Sequence, residues 1–280
     1  EQRKEKELLE VAVINRTSEL LQANETLGKS NSDLEKMNNE LQSFVYVSSH
    51  DLQEPLRKIQ TFSARILETE YEGLSATGKD YFQKMNNTAR RMQTLIQDLL
   101  AFSHTSAAER KFEYMSLNRI VDDVRNDLID SIEEKKVVFN TANLGSAIVN
   151  PFQFRQVMQN LISNSIKFSK PGKAPEITIS SNIVLGKDLS QQTPELQSGK
   201  FFKNKEYYHI RYTDNGVGFD PKYSLKVFDV FQRFHSVKAY TGTGIGLAIV
   251  KKIIENHNGI ITATGVVDKG VEFNIYIPSF

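Results

Sequence analysis

SSHDLQEPLRKI, residues 48–59, sets a histidine and an aspartate side by side on a segment whose apolar positions keep a helical period. Leu52, Leu56 and Ile59 recur at steps of four and three, so they line one face of a helix. His50 stands two residues before Leu52, about 200° around that helix, and is expected to face water. An exposed imidazole is a competent nucleophile through one ring nitrogen when a neighbour holds the proton of the other, and Asp51 is the candidate for that role. A surface histidine beside an aspartate can equally be inert, so the rest of the chain has to decide. Pro55 removes a backbone donor and is expected to bend the helix just beyond the histidine.

Upstream of this segment Val13, Leu20, Leu27, Leu34 and Leu41 form an apolar ladder at heptad spacing, which predicts a parallel coiled coil. Its partner seam has two readings, Leu9, Ala23, Met37 and Phe44 or the asparagine series Asn24, Asn31 and Asn38. Downstream, the stripe Val45, Leu52, Leu56, Ile59 and Ile66 breaks near Tyr71-Glu72-Gly73. A second stripe then runs through Phe82, Met85, Ala89, Met92, Ile96 and Leu99. Two striped helices joined by a turn make a hairpin, and two helices alone bury too little. The expectation is therefore a four-helix bundle formed with a second copy of the chain.

Past Ser103 the polar stretch HTSAAERK reads as a linker, and the composition turns mixed. Helices are expected at 117–134, 151–168 and 245–257. β-Branched or aromatic alternation predicts strands at 137–140, 176–184, 207–213, 259–264 and 272–277. That order implies an α/β sandwich with helices on one face of a mixed sheet. The polar stretch 186–205 reads as a loop. The domain plan is 1–42 coiled coil, 43–110 dimerisation hairpin, and 111–280 α/β domain.

Bulk properties exclude several function classes. In 280 residues, 35 basic and 34 acidic side chains leave a formal charge of +1, so no overall field draws the chain to nucleic acid or an anionic membrane. There is no cysteine, which excludes disulfides, cysteine nucleophiles and thiolate metal sites. No apolar run approaches the roughly 20 residues that span a bilayer. The start at Glu1 fits a fragment of a longer protein whose upstream part is missing, and the lack of cysteine fits a reducing compartment.

Three further segments carry chemistry. In QVMQNLISNSIKFS, residues 156–169, Asn160, Asn164 and Lys167 fall within an arc of about 60° on a helix, opposite Met158, Leu161, Ile162 and Ile166. Two amides and an ammonium suit a magnesium triphosphate, because amide oxygens are hard ligands and lysine neutralises phosphate. The alternative is an ordinary solvated face. In DNGVGF, residues 214–219, Asp214 emerges from the strand-like YYHIRYT into a glycine turn. Its carboxylate can accept the exocyclic amine of adenine, while Gly216 and Gly218 permit close backbone approach; the plainer reading is a structural turn. In TGTGIGLAIVKKIIENH, residues 241–257, Gly242, Gly244 and Gly246 lead into an amphipathic helix, a geometry that presents amides to an anion. No GxxxxGK[ST] loop exists, and the glycines lack the preceding strand of a dinucleotide fingerprint, so both of those readings fail.

Taken together in this order, the segments resemble sensor histidine kinases of two-component systems. SSHDLQEPLRKI is similar to the phosphoacceptor box of phytochrome-like sensors, and the other three to the N, G1 and G2 boxes of the ATP-binding fold shared by histidine kinases, DNA gyrase, mismatch-repair ATPases and heat-shock chaperones. The resemblance covers residues 43–280. It implies that His50 accepts the γ-phosphoryl group of ATP with Asp51 as general base, and that the bundle docks a response regulator. It further implies that Asn160, Asn164 and Lys167 handle Mg and phosphate, with Asn160 and Asn164 as metal ligands. Asp214, Gly216 and Gly218 would meet adenine, and Gly242, Gly244, Gly246 and Leu247 belong to the lid. Phe228, Phe231, Arg233 and Phe234 look like the F box, with Phe231 packing under the lid. Three positions depart from the family pattern: Glu54, where a water-positioning Thr or Asn is common and whose presence implies weak phosphatase activity; Ser165, where alanine is common; and His257-Asn258-Gly259, where paired glycines are common. His104, His209, His235 and His257 are expected to be structural or surface residues. Two rival readings remain, an ATPase clamp of the gyrase and chaperone class and a catalytically silent dimeric scaffold.

Overall fold

In a computed structural model the chain is described at residues 2–104, 111–192, 202, 204–232 and 243–279. It divides into two units, residues 1–52 and 53–280.

Helix α1, Gln2–Thr69, is one continuous helix through Pro55. Within the first unit the ladder residues Val13, Leu20, Leu27, Leu34 and Leu41 are all more than half exposed in the single chain. In the second unit the rest of α1 turns at 70–75 into α2, Ala76–His104. The turn is closed by the Gly73 and Leu74 amides donating to Glu70 O, and Ser75 Oγ accepts from Gly78 N at 3.1 Å, a side-chain cap for α2. Leu56, Ala89 and Ile96 form a small core between the two helices, and Gln60 donates to Gln93 at 2.9 Å across them. Ile59, Phe62, Met85 and Met92 remain exposed, so one hairpin leaves much of its apolar surface unpaired.

The remainder is the expected sandwich. Strands β2 (Val138–Thr141), β4 (Glu176–Leu185), β5 (Glu206–Asp214), β7 (Gly270–Pro278) and β6 (Ile260–Val266) form a sheet in that spatial order, β2 parallel to β4 and the rest antiparallel. Helices α3 (Leu117–Asp127), α5 (Pro151–Lys167) and α7 (Gly246–Asn256) supply buried Val121, Val124, Phe154, Leu161, Ile162, Val250 and Ile253. These pack into one core with Ile177, Ile179, Ile210, Tyr212, Phe273 and Ile275 of the sheet. Burial of this apolar area, at roughly 25 cal/mol per Å², is what holds the helices to the sheet.

Three expectations need correction. The helix expected at 117–134 is two, α3 and α4 (Ile129–Lys135), because Leu128 at φ −105°, ψ 14° leaves the helical range and ends the first. A two-stranded antiparallel sheet of β1 (Glu113–Ser116) and β3 (Ser146–Val149) was not foreseen. The stretch read as a loop from 186 begins with a short helix, α6 (Gly186–Gln192), whose Leu189 packs on Tyr207 and Tyr276.

Candidate nucleotide and phosphoacceptor sites

Each site residue is placed by an element whose local chemistry is legible. Helix α5 starts at Asn150, whose side chain accepts from Gln153 N at 3.1 Å, and Pro151 at its first position fits there without loss of a hydrogen bond. The N–H of Asn150 in turn donates to His257 Nε2 at 3.0 Å, while His257 Nδ1 faces Ile253 O at 2.8 Å. His257 is thus a buried histidine joining the end of α7 to the start of α5, and burial pushes its pKa below the ordinary value. The expectation of a structural histidine holds for it.

On α5 the amide stripe faces outward as the spacing requires: Asn160, Asn164 and Lys167 are partly exposed while Val157, Met158, Leu161 and Ile162 are buried. Asn160 Nδ2 donates to Gln156 O at 2.9 Å, which turns Oδ1 toward the first residue of α7. A Cβ on Gly246 would lie 2.7 Å from that oxygen, so a side chain there would push the Asn160 amide away from the helix start. The site therefore brings a hard oxygen donor to the positive end of a helix.

Asp214 ends β5. Its Oδ1 accepts from Gly216 N at 2.9 Å and Val271 N at 3.3 Å, and its Oδ2 from Ser165 Oγ at 2.8 Å. Burial raises its pKa, opposed by these donors and by Lys170. The turn that follows is held from two sides: Asp268 N, in the β6–β7 connection, donates to Val217 O at 2.8 Å, and Val217 N donates to Phe168 O, at the end of α5, at 3.0 Å. Gly218 at φ +63° would place a Cβ 2.0 Å from Val266 O, so its glycine serves the turn itself.

The lid is only partly within the described residues; Gly242, Arg233, Phe234 and His235 lie outside them. Gly244 at φ +77° accepts from Phe231 N at 3.0 Å. Phe231, expected to pack under the lid, is 61% exposed with its own backbone at φ +65°. Phe228 is buried against Phe273, edge to face. Leu247 is partly buried against the core. Thr243 Oγ1 donates to Asp98 Oδ2 of α2 at 2.5 Å, a contact between residues 145 apart that no local motif announces.

In the first unit His50 and Asp51 are exposed, their side chains at 72% and 75%, with His50 Nδ1 3.5 Å from Asp51 Oδ1. With Nδ1 turned to the carboxylate, Nε2 is the nitrogen left for an electrophile. Glu54 is paired with Lys58 at 2.7 Å.

Sequence reasoning missed Tyr212, Gly270 and Val271. Gly270, at φ +113°, would put a Cβ 1.8 Å from Asp214 O, and Val271 N bonds the Asp214 carboxylate; both act from a strand remote in sequence.

The model "His Kinase A (phospho-acceptor) domain" matches residues 40–107, and "Histidine kinase-, DNA gyrase B-, and HSP90-like ATPase" matches residues 149–279. The chain is 32% identical over 267 residues to phytochrome-like protein Cph1 of Synechocystis sp., covering 95% of this chain and 32% of that protein. It is 34% identical over 261 residues to cyanobacterial phytochrome A of Nostoc sp., covering 92% and 31%. The chain thus spans about a third of the length of these relatives. Among solved structures, full-length ShkA in complex with AMPPNP shares the fold at a TM-score of 0.58 with 20% identity, over 84% of this chain and 45% of that one. No helix among the described residues is long and apolar enough to cross a membrane.

Proposed function

Because the chain belongs to the histidine kinases, carrying their phospho-acceptor domain followed by their ATPase domain, we propose that it binds Mg-ATP and phosphorylates its own His50. The phosphoryl group then passes to an aspartate of a response regulator. The observation that carries this reading is the approach of Asn160 Oδ1 to the α7 N-terminus at Gly246, on a domain that also holds the buried Asp214 carboxylate, in a chain with an exposed His50 beside Asp51.

Asn160 and Asn164 would hold the magnesium ion, which would supply neutralisation of the triphosphate charge. Lys167 and the amides leading into α7 balance the remaining phosphate charge. Asp214 accepts the exocyclic amine of adenine. Asp51 orients the imidazole and, as general base, takes the Nδ1 proton as Nε2 attacks phosphorus; the P–N bond forms as the bond to the bridging oxygen breaks, and ADP leaves with the electron pair. Positioning and charge neutralisation do most of the work in such a loose transition state.

The same reading sets the domain plan at 1–42, 43–110 and 111–280, with the unpaired stripes of α1 and α2 met by a second copy of the chain. Glu54, held by Lys58, has no amide or hydroxyl to position a hydrolytic water, so weak phosphatase activity is expected. An ATPase clamp is the lesser reading, since a clamp has no use for His50 on an exposed helical face.

Titrating ATP into the purified chain with and without Mg tests the nucleotide half. Tight binding is expected only with Mg, and Asn164→Ala should lose that dependence. Binding indifferent to both Mg and Asn164 would contradict the assignment.

A further inference from the structure

The Asp214 carboxylate is backed by a buried chain of hydroxyls that the phosphoryl relay does not use. Ser165 Oγ lies 2.8 Å from Asp214 Oδ2 and 2.8 Å from the hydroxyl of Tyr212, with Leu161 O at 3.2 Å as a more distant acceptor. Ser165 is 3% exposed, and Tyr212 is fully enclosed by the core.

The direction of this chain follows from counting hydrogens. An ionised carboxylate only accepts, so the single hydrogen of Ser165 goes to Asp214 Oδ2. Tyr212 must then donate to Ser165 Oγ, since otherwise its enclosed hydroxyl would be stranded. Oδ1 of Asp214 already takes two backbone N–H groups, from Gly216 and Val271. A carboxylate offers about four acceptor positions, so one is left, on the oxygen that Ser165 fixes.

We propose that Ser165 and Tyr212 form a buried donor relay that locks Asp214 as a pure hydrogen-bond acceptor, making the pair positioning residues that set the base preference of the nucleotide site. The proposal rests on Asp214 as the partner of the base. An exocyclic amine, as on adenine, fills the remaining position; a 6-oxopurine presents its carbonyl there, lone pair against lone pair. The relay also favours the charged carboxylate directly, because a donor bonded to the ionised form lowers its pKa. Burial acts the other way, and Lys170 is the charged group that assists from outside the relay.

The test compares affinities for ADP and for inosine diphosphate by calorimetry, in the wild type and in Ser165→Ala, Tyr212→Phe, the double variant and Asp214→Asn. Ser165→Ala should weaken ADP roughly fivefold to tenfold while moving inosine diphosphate by no more than about twofold. Tyr212→Phe should act in the same direction and less, since Ser165 keeps its hydrogen for Asp214. The double variant leaves no hydroxyl stranded and should reproduce the loss of preference without loss of fold. The acid limb of ADP binding should shift to higher pH in Ser165→Ala, because the carboxylate has lost a donor; a purely structural role would not move it. Equal weakening of both nucleotides, or an unmoved acid limb, overturns the proposal while leaving Asp214 in place. Full ADP affinity in Asp214→Asn overturns the assignment of Asp214 itself, and the relay with it.

Discussion

At the scale of single residues, the buried acid and the buried histidine pull stability in opposite directions with pH. Asp214 has a folded-state pKa raised by burial, so its contribution to stability is present below its ordinary value and is lost as pH rises through the raised one. At neutral pH the ionised group is therefore a cost to the fold. Asp214→Asn keeps one oxygen for the Gly216 and Val271 amides and offers its N–H to Ser165. We expect a melting temperature equal to or above the wild type at neutral pH, the gap closing in acid, together with a loss of ATP affinity of about tenfold to a hundredfold. A lower melting temperature at neutral pH would show that the carboxylate is structural. His257 behaves conversely. Its pKa is lowered, and Nε2 must stay unprotonated to accept from Asn150 N, so stability is present above 6.5 and is lost as pH falls below it. Melting curves of the wild type across that range should fall more steeply than those of His257→Gln.

At the scale of elements, what was legible in the sequence was whatever repeats or clusters locally. The stripes of α1, α2 and α5 read correctly because 3.6-residue periodicity needs no partner to be seen, and the five strands of the sheet read from alternation. Short elements did not. β1 has four residues and exists because Glu113–Ser116 pairs with Ser146–Val149, a match made only in three dimensions. α6 looked like a polar loop, and Leu189 is the apolar residue whose burial against Tyr207 and Tyr276 fixes it. Leu189→Ala should cost about 2–3 kcal/mol in denaturant unfolding; a cost near zero would mean that α6 does not cover the sheet. The Asp214, Asn160 and Gly246 site was legible as three motifs, yet Gly270 and Tyr212, which shape it, carry no motif. Gly270→Ala, whose Cβ would meet Asp214 O at φ +113°, should destabilise by at least about 3 kcal/mol, measured the same way.

At the scale of the whole molecule, a single chain leaves the ladder Val13, Leu20, Leu27, Leu34 and Leu41 exposed, and with it Ile59, Phe62, Met85 and Met92 of the hairpin. Water is a poor neighbour for so regular an apolar stripe, and a second copy offers the matching surface. Sedimentation should show a dimer, and paired Leu27→Lys and Leu34→Lys substitutions should shift it toward monomer; a monomeric wild type would remove the bundle. The central claim is that one chain carries both the nucleotide grip and the group that receives the phosphate. It is tested most directly by incubating the protein with Mg-ATP, digesting at neutral to alkaline pH, and mapping the phosphate by mass spectrometry. The account predicts an acid-labile phosphate on the peptide containing His50 and none in His50→Ala. Phosphate on any other residue, or undiminished labelling of His50→Ala, would contradict it.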